Sequence, residues 1–326
     1  MNAEMTHSPR QLVALAIFGL LLGGFWLQLQ ALPLSRTLTG PLVPAFAGFA
    51  LLLAPVWFFA FGAAEPLRTL LHVRWIRIAA PAGLAVPYVF YGSAQHEFDW
   101  RFAVAMAIAP VVLSAVLELA PKAQKLLWQD VVVLLTLALT LELRLLSGAW
   151  PHPGLGSLPK LYLCDVALYL YLVVRRIEGV GYSFVPRASA FAIGAREWLL
   201  FAPFAFGLGF ALHFISFYPR AHSLAQIAAG ILITFLLTAV PEELFFRGIL
   251  QNLLEPHMGR VRALALASVL FGLSHFHKGA AFNWRYVVLA AIAGVFYGRA
   301  WRQKRQLLAS STTHTMVDVV WYLWFK

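Results

Sequence analysis

Residues 224–250 read LAQIAAGILITFLLTAVPEELFFRGIL, and the meaning of this stretch decides the fold. About 17 almost wholly apolar or small residues, enough to enter a bilayer as a helix, run directly into Pro241, Glu242, Glu243 and Arg247. An ionisable group at membrane depth is costly and must be given a partner, so this helix holds either chemistry or an ion pair at its heart. Glu243 and Arg247 stand four apart and share a helix face, whereas Glu242 is rotated by about 140° from Arg247 and points elsewhere. One carboxylate is thereby assigned to the arginine and the other is available. Pro241 removes one backbone hydrogen bond and exposes a carbonyl four residues earlier, which membrane helices tolerate mainly beside polar cavities. A wet pocket near Glu242 is expected.

The rest of the chain extends this reading. Of its 326 residues 61% are hydrophobic and only 12% charged, with a mean hydropathy of +0.75. Fourteen acidic and 25 basic side chains cannot cover a water-soluble globule of this size. The composition implies an all-α polytopic membrane protein, with an active-site cavity among its C-terminal helices. Apolar runs of spanning length give about eleven transmembrane helices, near 11–30, 41–63, 76–95, 102–120, 127–146, 160–174, 197–217, 223–253, 261–277, 285–301 and 307–325. The third is weakened by Pro81 and Pro87, and the sixth by the short run around Cys164. The first run is too long for a signal-peptide core and reads as an uncleaved anchor.

Pro and Gly cluster in the connection Ala149 to Gly156, including Pro153. It divides an N-terminal transmembrane region, residues 1–150 with about five helices and no assigned role, from a C-terminal domain, residues 151–326 with about six. Lys and Arg favour one side of the spans by about two to one. Arg299, Arg302, Lys304 and Arg305 form the densest cluster, and the opposite side holds scattered cations from Arg36 to Lys326. This bias places the N terminus in the cytoplasm, with a bacterial-type inner membrane as the expected location.

A formal net charge of +11 would suggest nucleic acid in a soluble chain. Here the basic residues fall between apolar runs and face headgroups, so no nucleic-acid partner is implied. A single cysteine, Cys164, cannot form an internal disulfide, a multi-thiolate zinc site or an iron–sulfur cluster. No cofactor is expected.

Two later helices add polar groups. One ends Phe271-Gly272-Leu273-Ser274-His275-Phe276-His277, and the last contains His314-Thr315-Met316-Val317-Asp318. His314 and Asp318 lie on one face, so the carboxylate can hold the imidazole in one tautomer. Bland readings apply elsewhere: His213 reads as a packing residue, His277 as a loop residue, and Asp130, Glu142 and Asp165 as helix-end or interhelical contacts. A merely structural cluster of Glu242, Glu243 and Arg247 is disfavoured, because two carboxylates on one arginine leave a charge uncompensated.

At these residues the chain resembles the CPBP family of intramembrane proteases, which is related to the type II CAAX prenyl endopeptidases. The family pattern of Glu-Glu-x-x-x-Arg, Phe-x-x-x-His and His-x-x-x-Asn or Asp reads here as Glu242-Glu243-x-x-x-Arg247, Phe271-x-x-x-His275 and His314-x-x-x-Asp318, in order and on separate helices. The resemblance covers roughly residues 195–326 and implies a glutamate-dependent endopeptidase acting on a membrane-anchored or lipidated substrate within the bilayer. It implies Glu242 as general base with His275, and His314 and Asp318 at the oxyanion. An ionised Asp318 would repel an oxyanion, so the expected role of Asp318 is to orient His314 as the donor.

Two other readings compete. A non-enzymatic transporter or proton relay also needs intramembrane carboxylates and histidines, but it has no evident use for Arg247 and often shows an internal repeat, which is lacking between the halves. A zinc site built on Glu242 or Glu243, His275 and His314 is a minority reading, since no short ligand spacing and no HExxH is present. Metal is therefore not expected.

Overall fold

The computed structural model describes residues 9–31, 38, 40–152, 154–279 and 282–326. Arg36 and Pro153 lie outside the described residues. The helices are α1 Pro9–Ala31, α2 Leu42–Phe59, α3 Ala64–Leu70, α4 Arg74–Ala79, α5 Val86–Ala94, α6 Trp100–Glu118, α7 Trp128–Glu142, α8 Leu158–Leu168, α9 Ala188–Ala211, α10 Leu224–Thr234, α11 Val240–Glu243, α12 Asn252–Leu273, α13 Trp284–Lys304 and α14 Leu307–Trp324. Among the described residues there is no strand, only an isolated bridge between Phe217 and Phe325. The all-α expectation therefore holds. Among the described residues five segments are long and apolar enough to cross a membrane: Gln11–Gln30, Leu42–Phe59, Trp100–Glu118, Ala188–Ala211 and Leu224–Leu273. Large apolar side chains such as Leu20, Leu224 and Val261 stand exposed on them, as a lipid-facing surface requires.

Differences from the sequence expectation have local causes. The third expected span is broken by its prolines into α4, a 3₁₀ segment Ala80–Ala85 and α5. The sixth continues α8 through a π-helical segment Tyr169–Val174. The last helix has the expected length but carries Ser310, Ser311, Thr312, Thr313, His314 and Asp318, which lower its apolar content.

The chain forms two compact units, one from Met1–Glu118 and Arg144–Val174, the other from Leu119–Leu143 and Arg175–Lys326. In the first, Tyr88 packs edge-on to Trp150 at 5.7 Å, Arg77 pairs with Glu118, and the Tyr162 hydroxyl donates to the Met106 carbonyl at 2.6 Å.

The second unit holds all three motifs. Its helices start where short polar side chains cap them: the Ser223 hydroxyl accepts from Gln226 N while the Gln226 amide accepts from Ser223 N, and Asn283 accepts from Tyr286 N. Asp130 reads as the structural residue expected, since it caps Leu127 N at 2.9 Å and pairs with the buried Arg175 at 3.1 Å. The break expected between residues 253 and 261 falls at Gly259, whose φ of 78° only glycine adopts readily.

Close packing then fixes the motif helices. A Cβ on Gly272 would lie 2.6 Å from the Val287 carbonyl and 2.7 Å from the Ala291 Cβ, so α12 and α13 touch through small residues, as membrane helices commonly do. The fully buried Glu197 of α9 accepts from Gln303 at 3.0 Å and pairs with Arg299 at 3.2 Å on α13. Thr313 of α14 donates to the Gly194 carbonyl of α9 at 3.1 Å.

Candidate active site

The segment that opened the sequence reading is not a uniform α-helix. π-Helical turns Phe235–Ala239 and Leu244–Gln251 flank α11, which carries Pro241, Glu242 and Glu243. Proline leaves a helical carbonyl without its donor, and the wider π turns accommodate the mismatch; such bulges recur at functional sites. The two glutamates are thus presented from a short, distorted turn.

Glu243 is fully buried and engaged on both oxygens. Its Oε2 accepts from Arg247 Nε at 3.2 Å, the pair expected from the four-residue spacing. Its Oε1 accepts from His314 Nδ1 at 3.0 Å, joining residues 71 apart in sequence. Arg247 is also fully buried, and its guanidinium lies over the rings of Phe271 at 5.0 Å, Phe246 at 5.9 Å and Tyr297 at 6.0 Å. Gly294 makes room for it, because a Cβ there would sit 3.3 Å from Arg247 Nη2.

Since a carboxylate can only accept, His314 Nδ1 carries the proton and Nε2 is the edge that faces the site. Nε2 stands 3.8 Å from Glu242 Oε2 and 3.6 Å from Asp318 Oδ2, close enough for charge interaction and too far for a hydrogen bond. The hydrogen bond that fixes the ring comes from Glu243, where the sequence reading assigned that task to Asp318. Tyr297 stacks on the ring at 4.6 Å with an interplanar angle of 16° and fixes its plane.

His275 follows α12 in a turn, 4% exposed, with Nδ1 donating to the Phe271 carbonyl at 2.9 Å and its ring 4.7 Å from that of Tyr286. Its Nε2 therefore offers a lone pair, which Lys278 Nζ approaches to 3.1 Å. Lys278 Nζ also lies 3.5 Å from Glu242 Oε1. One ammonium thus spans the two groups that the motifs nominate as base and partner. Lys278 falls between the expected spans 261–277 and 285–301, so the charge pattern alone could not place it at the site.

Beside these groups lies a cavity of about 90 Å³ lined by His275, Tyr286, Tyr297, His314 and Asp318 on its polar side and by Phe201 among its apolar walls. It has room for several waters, each needing roughly 10–15 Å³ of such volume. Among the described residues no three of His, Cys, Asp and Glu are grouped so as to hold a metal ion. The structure brings Glu242, Glu243, Arg247, His314 and Asp318 into one constellation and links His275 to it through Lys278.

Two histidines and Asp318 thus line a small, mainly apolar cavity, with Glu242, Glu243 and Arg247 gathered about His314. In comparison with known families, residues 224–320 match the family described as type II CAAX prenyl endopeptidase Rce1-like, a span that begins at α10 and includes all seven motif residues. No curated protein and no solved structure matches the chain. Over this segment the chain is similar to that family, as its three motifs suggested.

Proposed function

We propose that the protein is an intramembrane endopeptidase that hydrolyses a peptide bond near the C terminus of a membrane-anchored or lipidated substrate. The observation that supports this most is the division of labour between adjacent carboxylates: Glu243 is held by Arg247 and His314, while Glu242 faces Lys278 and the Nε2 edge of His314. In this reading Glu242 removes a proton from water as its oxygen attacks the carbonyl carbon, and returns it to the departing amine. Entering water displaces the Lys278 ammonium from His275 Nε2, whose lone pair then helps to orient that water. His314 acts as an imidazolium, with Glu243 taking Nδ1–H and Nε2–H donating to the oxyanion. No step requires a metal.

The domain responsible is proposed to be residues 151–326, the N-terminal region serving an unassigned role. The proposed topology of about eleven spans has a cytoplasmic N terminus, in a bacterial-type inner membrane. The reading is tested by comparing membrane peptides from cells producing the wild type with those from cells producing Glu242→Ala. A membrane-anchored protein processed in the first and accumulating uncleaved in the second is expected; identical peptide patterns would overturn it.

Asp318 supplies a further test. Its side chain is 30% exposed and 3.6 Å from His314 Nε2, so it lends charge without a hydrogen bond. Asp318→Asn keeps the shape and adds an amide donor, and should retain cleavage within about tenfold of wild type, insensitive to chelators. Were Asp318 the outer partner of a zinc-bound His314, the same change would weaken metal affinity by about 10- to 100-fold. Activity abolished by chelation and restored by zinc decides for the second alternative.

A further inference from the structure

A second cavity, of about 390 Å³, opens where α9, α13 and α14 meet; ligand pockets span roughly 300–1,000 Å³. Its walls include Tyr182, Ser183, Arg187, Lys304, Arg305 and Gln306. The loop behind it is strapped down, with Leu307 N donating to Gly181 O at 3.0 Å and the Trp301 indole donating to Val180 O at 3.0 Å. Gly181, at φ +71°, is required there: a Cβ would fall 1.9 Å from the Arg305 carbonyl. The pocket is a built feature of the fold.

Its cations differ in what they already do. Arg305 is engaged by Glu255 and Asn252 and lies over the Trp301 ring at 4.9 Å. Arg187 and Lys304 are exposed, and among the described residues no carboxylate comes within ion-pair distance of either. Like charges gathered at one mouth repel each other and favour an anion between them. The Gln306 side-chain oxygen is buried without a hydrogen-bond partner, an acceptor that a ligand hydroxyl or ammonium would satisfy.

Depth identifies the source of the anion. Arg187 immediately precedes the membrane-compatible segment Ala188–Ala211, and Lys304 ends α13. A cation at the end of a membrane-compatible segment, as Arg187 is, lies at headgroup level, where basic pockets meet lipid phosphate, and Lys304 lines the same pocket. We propose that this pocket binds the phosphodiester headgroup of an anionic glycerophospholipid, with the phosphate between Arg187 and Lys304 and a headgroup hydroxyl toward Gln306. The site lies apart from the motif residues and does not depend on the protease reading.

The test uses the full-length protein in neutral detergent, with lipid retention followed by native mass spectrometry and affinity by titration. The probes are dioleoylphosphatidylglycerol, dioleoylphosphatidylcholine and, at matched ionic strength, inorganic phosphate. Wild type should retain phosphatidylglycerol in preference to phosphatidylcholine. Arg187→Gln and Lys304→Gln should each weaken phosphatidylglycerol binding by roughly fivefold and the double variant by roughly 30-fold. Arg285→Gln, at the opposite end of α13, should leave binding unchanged. Because the two pocket residues are exposed, the variants should fold, and the single variants carry the test if the double one does not. Equal retention of both lipids by wild type, or undiminished phosphatidylglycerol binding by both single variants, would overturn the proposal. Displacement of the lipid by millimolar inorganic phosphate would overturn the lipid assignment in favour of a soluble phosphate ligand.

Discussion

Glu242→Gln should lower cleavage by about 10²- to 10⁴-fold, the usual cost of losing a general base, while the protein accumulates in the membrane at wild-type yield. The amide has nearly the same volume, so the buried turn Val240–Glu243 need not repack. What disappears is the negative charge that faces Lys278 Nζ at 3.5 Å and His314 Nε2 at 3.8 Å, and with it the capacity to take a proton from water. Glu243→Gln provides the contrast. That change removes the charge that pairs with Arg247 and leaves His314 Nδ1 only a neutral amide oxygen as acceptor, so yield and activity should fall together. The measurement is cleavage of a substrate from the accumulation experiment, normalised to folded protein. A well-expressed Glu242→Gln variant that cleaves at near-normal rate would show that this carboxylate is not the base.

The contrast between the two glutamates also marks how far the sequence could be read. Periodicity sufficed for the Glu243–Arg247 pair, because four residues along a helix is a local relation, and the 3.2 Å contact is its expression. Hydropathy sufficed for the all-helical, membrane-spanning class and for a break between the eighth and ninth expected spans, found at Gly259. The bond from Glu243 to His314 is tertiary and leaves no trace in spacing, and Asp318, four residues from His314, was the local candidate that spacing offered instead. Lys278 was hidden for a related reason. A turn after α12 directs it back between His275 and Glu242, whereas charge counting could only place it in a loop. The π turns on either side of α11 shift the register of the side chains around Pro241, a local geometry that apolar periodicity does not encode.

Arg247→Ala should reduce the folded yield as well as the activity, in contrast with Glu242→Gln. The guanidinium is fully buried, neutralises an equally buried carboxylate and sits against three aromatic rings. Its removal leaves Glu243 with only the His314 Nδ1 bond and opens a void under Phe271 and Tyr297, and breaking a buried pair from one side costs about 3–5 kcal/mol. That is a large fraction of the roughly 5–15 kcal/mol that holds a typical protein folded. Arg247→Lys restores charge without the planar fork, so it should recover part of the yield and less of the activity. The double variant Arg247→Ala with Glu243→Gln removes both members of the pair. It should recover yield relative to Arg247→Ala alone, because no uncompensated charge remains buried, yet stay poorly active, because His314 loses the carboxylate that fixes its Nδ1 proton. Monodisperse yield after detergent extraction and the thermal midpoint, read beside cleavage, separate these outcomes. Equal yields for Arg247→Ala and Glu242→Gln, with no recovery in the double variant, would show that the Arg247–Glu243 pair does not hold this part of the fold together.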